Sequence, residues 1–180
     1  GEPIVLVHGI GHRREAWAGV PDVLAQTHDV IAIDLPGFGQ SPPPSAADSY
    51  SLASQADQLE RLFRELGLNR PHVAGNSLGG YLCLELARRG SVRSATLLSP
   101  AGFWSPLGWV WAAVMLVSMK ALSYAPLWLV RPLASRATLR RALMRTVCEH
   151  GERLTPADFL GDSMNLRRSA GFWPNFRRSP

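Results

Sequence analysis

Gly75-Asn76-Ser77-Leu78-Gly79 places a serine midway between two glycines. In a G-x-S-x-G pattern the hydroxyl becomes a nucleophile when a sharp strand-to-helix turn lifts it above the edge of a sheet. The flanking residues suit such a turn. Pro71-His72-Val73-Ala74 is short and partly apolar, as a buried strand is, and Leu78, Leu82 and Leu86 recur at helical spacing in the stretch that ends at Arg89. A serine of this kind adds to an acyl carbonyl and forms a covalent intermediate. It also needs a histidine and an acid, and both are expected later in the chain.

The elements that must position this serine can be read outward from it. Pro3–Val7, Val30–Ile33, Val73–Ala74 and Val92–Leu98 are apolar runs and are expected as strands. Between them, Glu15–Gln26 reads as an amphipathic helix that Pro21 delays or kinks. Ser51–Leu66 reads as a helix with Leu52, Ala56, Leu59, Leu62, Phe63 and Leu66 on one face and Gly67 at its end. Leu78–Arg89 is the next helix and is closed by Gly90. Strand alternating with helix means an α/β fold with a mostly parallel sheet flanked by helices. Active sites in such sheets gather at the carboxyl ends of the strands, which is where His8-Gly9, Asp34, Ser77 and Ser99 fall.

From Trp104 no strand pattern follows, so residues 1–103 are expected as the core and 104–180 as a helical region with a C-terminal tail. The polar tail from Arg167 to Pro180 is expected to be poorly ordered. The almost unbroken apolar run from Leu107 to Met119 reads as a buried or cleft-lining helix, and Trp104, Trp109 and Trp111 read as core. Residues 106–130 are the one segment that offers a membrane contact. A spanning helix wants about 20 consecutive apolar residues, and Lys120 and Pro126 interrupt the run.

The chain has 180 residues, enough for a hydrophobic core. Its net charge of +5 is unevenly placed. Residues 1–130 hold nine Lys+Arg and ten Asp+Glu, whereas residues 131–180 hold ten Arg and four acids. Those arginines sit among Leu and Ala with no aromatic stacking platform and no zinc spacing, so they read as solvated helix faces and no nucleic-acid partner is expected. Cys83 and Cys148 make neither a disulfide framework nor a metal cluster. Cys83 reads as a small buried hydrophobe. No signal-peptide pattern opens the chain, and a cytoplasmic location is expected. Gly9-Ile10-Gly11 lacks the third glycine of a dinucleotide fingerprint, where Arg14 stands, and no cofactor is expected.

Together these residues resemble the α/β-hydrolase superfamily over about residues 3–103, with a weaker correspondence of the helical region to the cap of many members. Three motifs arrive in family order: His8-Gly9-Ile10-Gly11, then Asp34-Leu35-Pro36-Gly37-Phe38-Gly39-Gln40-Ser41, then the stretch from Gly75 to Gly80. The resemblance implies Ser77 as nucleophile and an oxyanion hole formed by the backbone N–H groups of Leu78 and Ile10. Gly75 and Gly79 leave room for the turn and for close helix–strand packing. His8 is expected to shape its loop and Asp34 to order its own. A serine nucleophile speaks against the superfamily's dehalogenases and epoxide hydrolases, which use aspartate.

The family order is Ser, then Asp or Glu, then His. After Ser77 the histidine available is His150, and Glu85, Glu149, Asp158 and Asp162 all lie badly for orienting it. Four of about eight strands are found. The expectation is therefore a partial α/β-hydrolase fold with a helical cap region, missing sequence at both ends and nearly inactive alone. The whole protein is expected to be a serine hydrolase of an ester or related, apolar acyl substrate. A carbon–carbon bond hydrolase and a non-catalytic α/β-hydrolase-like binding protein are the alternatives. Substrate identity and oligomeric state are not legible.

Overall fold

The computed structural model describes residues 1–46 and 48–178. Four strands, β1 (Glu2–Val7), β2 (His28–Ile33), β3 (His72–Asn76) and β4 (Ser94–Leu98), form one sheet in the order β2-β1-β3-β4, with every neighbouring pair parallel. Helices α1 (Val20–Leu24), α2 (Leu52–Glu65) and α3 (Leu78–Arg88) connect and flank the strands. After β4 come α4 (Pro106–Leu122), α5 (Leu127–Ser135), α6 (Ala137–Met144), α7 (Pro156–Arg168) and α8 (Phe172–Phe176).

Alternation along each strand divides the side chains between the two faces of the sheet. On one face Leu6 and Ala74 pack with Trp17, and Ile4, Leu24, Val30 and Ala32 border them. Val5, Val7 and Val73 have the opposite parity and are equally buried. Gly75 shares their face, where α3 presses against it. The local signals for α2 are the expected ones. The Ser51 hydroxyl accepts from the Ser54 N–H, and Gly67 adopts φ 69° just past the helix.

Glu15–Gln26 does not form one helix. A 3-10 turn spans Arg14–Trp17, and α1 begins only at Val20. Gly19 turns left-handed between them at φ 81° and Pro21 stands in the first turn of α1, so continuous helical bonding is cut twice. β4 begins at Ser94, later than its apolar pattern suggests.

The chain divides into two compact units, Gly1–Phe103 with Ser169–Pro180, and Trp104–Arg168. The end of the chain thus belongs with the first unit, although the sequence assigned it to the helical region as a loose tail. Its anchors are apolar and polar together. Phe172 is fully buried, the Gly171 N–H donates to the Gly37 carbonyl at 3.0 Å, and the Gln55 amide donates to Asn175 Oδ1 at 2.8 Å. Ser179 and Pro180 of that tail lie outside the described residues. Phe172→Ala is expected to cost about 3–5 kcal/mol, as for other fully buried aromatic truncations, and urea denaturation measures it.

In the second unit α5 packs on α6 and α7. Two buried cations bind its helices together through carbonyl groups. Lys120 of α4 donates to the Leu166 and Arg167 carbonyls at the end of α7, while Arg140 of α6 donates to Ala134 at 2.6 Å and to Glu152. Trp109 and Trp111, read from the sequence as core, are instead 41% and 56% exposed, and Trp104 is also partly exposed. The core reading fails because Ala112 and Lys120, not the large side chains, are the buried residues of α4.

Candidate active site

The sheet order reverses direction between β1 and β3, and in open parallel sheets the crevice beyond the carboxyl ends at such a point receives ligands. Val7 pairs with Gly75 there, so His8-Gly9, just past β1, and Asn76-Ser77, at the end of β3, emerge side by side. An added Cβ on Gly9 would lie 3.2 Å from the Ser77 Cβ and 3.1 Å from Asn76 Oδ1. The β1 loop therefore borders Ser77 directly.

Ser77 stands between β3 and α3 with φ 53° and ψ −114°. This backbone region is open to glycine and costs other residues about 1–3 kcal/mol. Its surroundings over-determine it. The Ser77 N–H donates to the Leu98 carbonyl at 3.0 Å, and the Ser77 carbonyl accepts from Tyr81 and Ala101, both at 3.0 Å. The turn is tied on one side to its own helix and on the other to the end of β4.

Two glycines make the turn sterically possible. A Cβ on Gly75 would stand 2.3 Å from the Gly79 carbonyl oxygen and 2.7 Å from Cys83 Sγ. One on Gly79 would stand 2.2 Å from the Val7 carbonyl oxygen and 2.6 Å from that of His8. The first turn of α3 thus rests on the backbone of β1. The N–H groups that open α3 have no intrahelical acceptor, and they carry the partial positive end of the helix. Leu78 is the first of them, and Ile10 lies buried in the neighbouring loop.

His8 is fully buried and both its ring nitrogens are engaged. Nε2 accepts the Leu35 N–H at 2.9 Å, so the proton sits on Nδ1, which is 2.7 Å from the Gly9 carbonyl oxygen. Burial pushes its pKa down to about 4. A neutral imidazole with both nitrogens occupied is a brace between the loops after β1 and β2. Because the folded pKa lies below the usual 6.5, the unfolded chain binds this proton more readily between those values. The stability it confers is complete above pH 6.5 and lost as the pH falls through about 4, a change of about 3 kcal/mol. Urea midpoints measured across that interval are expected to fall steadily, and less so in His8→Gln.

Asp34 works in the same way on the loop it begins. One carboxylate oxygen accepts the Arg14 N–H at 2.7 Å and the other accepts the Gln40 N–H at 3.0 Å, with the Arg14 guanidinium 3.5 Å away. An added Cβ on Gly39 would run into this carboxylate. Nothing in the sequence links residues 14 and 34, and their contact depends on β1 and β2 being neighbours.

The remaining candidate groups have other surroundings. Cys83 is buried and its thiol is pushed up to about 12, so it is protonated and unreactive. His150 is exposed in the second unit, where its Nδ1 lies 3.2 Å from Glu152. A cavity of about 520 Å³ follows β2 and α2, with Arg14, Asp34 and Arg61 in its wall, and does not include Ser77. Among the described residues no three His, Cys, Asp or Glu side chains could hold a metal ion.

This crevice and sheet define a known class: residues 2–176 match the alpha/beta hydrolase fold family, and the chain belongs to it. Among curated proteins it is similar to lipase 3 of Moraxella sp. (strain TA144), 39% identical over 108 residues, which is 58% of this chain and 34% of that protein. It is also similar to an epoxide hydrolase of Mycobacterium tuberculosis, 40% identical over 96 residues, 53% of this chain and 43% of that protein. Among solved structures, a meta-cleavage product hydrolase from Pseudomonas fluorescens IP01 superposes with a TM-score of 0.66 at 25% identity, covering 98% of this chain and 60% of that one. The chain spans between about a quarter and a third of the length of the first curated relatives it matches.

Proposed function

We propose that Ser77 is the nucleophile of a serine hydrolase that acts on an ester or related acyl substrate. The observation that carries this is the strained Ser77 backbone, held at φ 53° beside the Gly9 loop at the switch point of the sheet. In the proposed reaction the Ser77 hydroxyl adds to the acyl carbonyl, and the oxyanion accepts hydrogen bonds from the N–H groups of Leu78 and Ile10. His8 positions the loop that carries Ile10 and does not accept the hydroxyl proton, since both of its nitrogens are engaged. The similarity to a lipase supports an apolar acyl group. The similarity to an epoxide hydrolase does not carry over to this reading, because the residue at the turn is a serine.

Carbon–carbon bond hydrolysis is the second reading, favoured by the likeness to a meta-cleavage product hydrolase. The third is a binding protein without catalysis. Residues 1–180 offer only His150 after Ser77 as a base, so residues 1–180 alone are expected to turn over slowly, and the test belongs to the full length that the gene encodes. Steady-state rates on p-nitrophenyl esters of short and long acyl chains, beside a vinylogous diketone, separate the readings. Ester turnover that disappears in Ser77→Ala supports the first, and faster turnover of the diketone supports the second. No turnover of either supports the third.

A further inference from the structure

Helix α4 is apolar apart from Ser118 and Lys120, and most of its larger side chains are exposed. Leu107, Val110, Trp111, Val114, Val117 and Leu122 recur at helical spacing and are all exposed, Val114 at 60%. The residues it buries are Ala112 and Lys120. α5 continues the pattern with Trp128 exposed at 75%, and Leu127, Leu129 and Tyr124 beside it in sequence are exposed as well. An ordinary surface helix buries its apolar stripe and exposes its polar one. Exposed apolar side chains in this number mark a contact surface.

The charge of the sequence around these helices points to what they contact. No Asp or Glu occurs between Glu85 and Glu149, so α4, α5 and α6 contain no acidic residue. Residues 104–168 hold nine Lys+Arg against four acids, and all four acids follow Cys148. Arg131, Arg136 and Arg145 are exposed. Trp109, Trp111, Trp128 and Tyr124 supply amphipathic rings of the kind that settle at the level of lipid headgroups.

We propose that α4 and α5 lie in the plane of an anionic lipid surface. Trp111, Val114 and Trp128 enter the boundary of the acyl chains, and Arg131, Arg136 and Arg145 meet the lipid phosphates. Apolar insertion and electrostatic attraction act together in this mode of binding. Spanning does not fit. α4 has 17 residues where about 20 are needed, α4 and α5 are bent by 113°, and Lys120 is held inside the unit by the carbonyls at the end of α7. A second copy of the chain does not fit either, because it would bring the same acid-free helices, with their cations, against one another.

The proposal does not rest on the hydrolase reading, and its test reads binding without turnover. The protein is sedimented with vesicles of phosphatidylglycerol and phosphatidylcholine in equal parts, and with vesicles of phosphatidylcholine alone. Partitioning is expected to be about tenfold or more higher on the anionic vesicles and to fall with added salt. Tryptophan emission is expected to shift to the blue and to be quenched by lipids brominated on the acyl chain. Val114→Asp with Trp128→Ser, both at exposed positions, should remove the quenching. Arg131→Glu with Arg145→Glu should lower anionic binding about tenfold or more while circular dichroism stays unchanged. Equal binding to both vesicles, or no loss in either double variant, would overturn the proposal. So would a concentration-dependent dimer that shields the same tryptophans from a soluble quencher.

Discussion

Ser77→Gly and Ser77→Ala are expected to separate stability from activity at one atom. Both remove the hydroxyl, and in the full-length protein both should lower ester turnover about 10⁴-fold or more, since without the nucleophile only substrate binding and oxyanion stabilisation remain. Their stabilities should differ. Alanine keeps a side chain at φ 53°, so the strain of the turn remains and stability should stay within about 0.5 kcal/mol. Glycine relieves it, and even after its greater freedom in the unfolded chain is counted, Ser77→Gly should stabilise the first unit by about 1 kcal/mol. A protein that grows more stable as it loses turnover holds that strain for chemistry. If Ser77→Gly destabilises, the backbone is not strained and the turn has no special standing.

Gly79→Ala, in the first turn of α3, is expected to produce one of the largest losses of stability of any small substitution about the turn. Its Cβ would lie 2.2 Å and 2.6 Å from two carbonyl oxygens of β1 and the residue after it. Those are backbone atoms in the middle of the sheet, not the far ends of flexible side chains. α3 must therefore shift away from β1, and the cost should be at least about 3 kcal/mol. Such a shift also moves the Leu78 N–H and Ser77 together, so turnover should fall in parallel with urea stability. Gly90→Ala is the control. Gly90 is also a glycine near an end of α3, at φ 73°, but an added Cβ there meets nothing within 4 Å. Only the cost of a left-handed conformation remains, about 1 kcal/mol.

Much of this arrangement was legible in the sequence because local chemistry dictates it. The strands before the three loops are short apolar runs, and α2 carries its own start in Ser51 and its own stop in Gly67. The placing of Gly75 and Gly79 about Ser77 anticipated the close contact of α3 with β1. What stayed hidden depends on partners distant in the chain. The brace from Arg14 to Asp34 exists only because β2 lies beside β1. The tail reads as loose because its polar residues outnumber its anchors, yet Phe172 is fully buried, and Gly171 and Asn175 find partners in the loop after β2 and in α2. Lys120 looked like a break in an apolar run. It is instead the buried cation of α4, held by the Leu166 and Arg167 carbonyls at the end of α7. With Lys120 turned inward, Ser118 is the one polar residue left exposed on α4, which no periodicity could reveal.

The central claim is that the Ser77 hydroxyl is an activated nucleophile. Its most direct test is covalent trapping of the full-length protein with a fluorophosphonate, followed by mass mapping of the labelled peptide. The account predicts one adduct, on Ser77, and no labelling in Ser77→Ala. An adduct on another residue, equal labelling of the alanine variant, or a folded full-length protein that takes no label would contradict it.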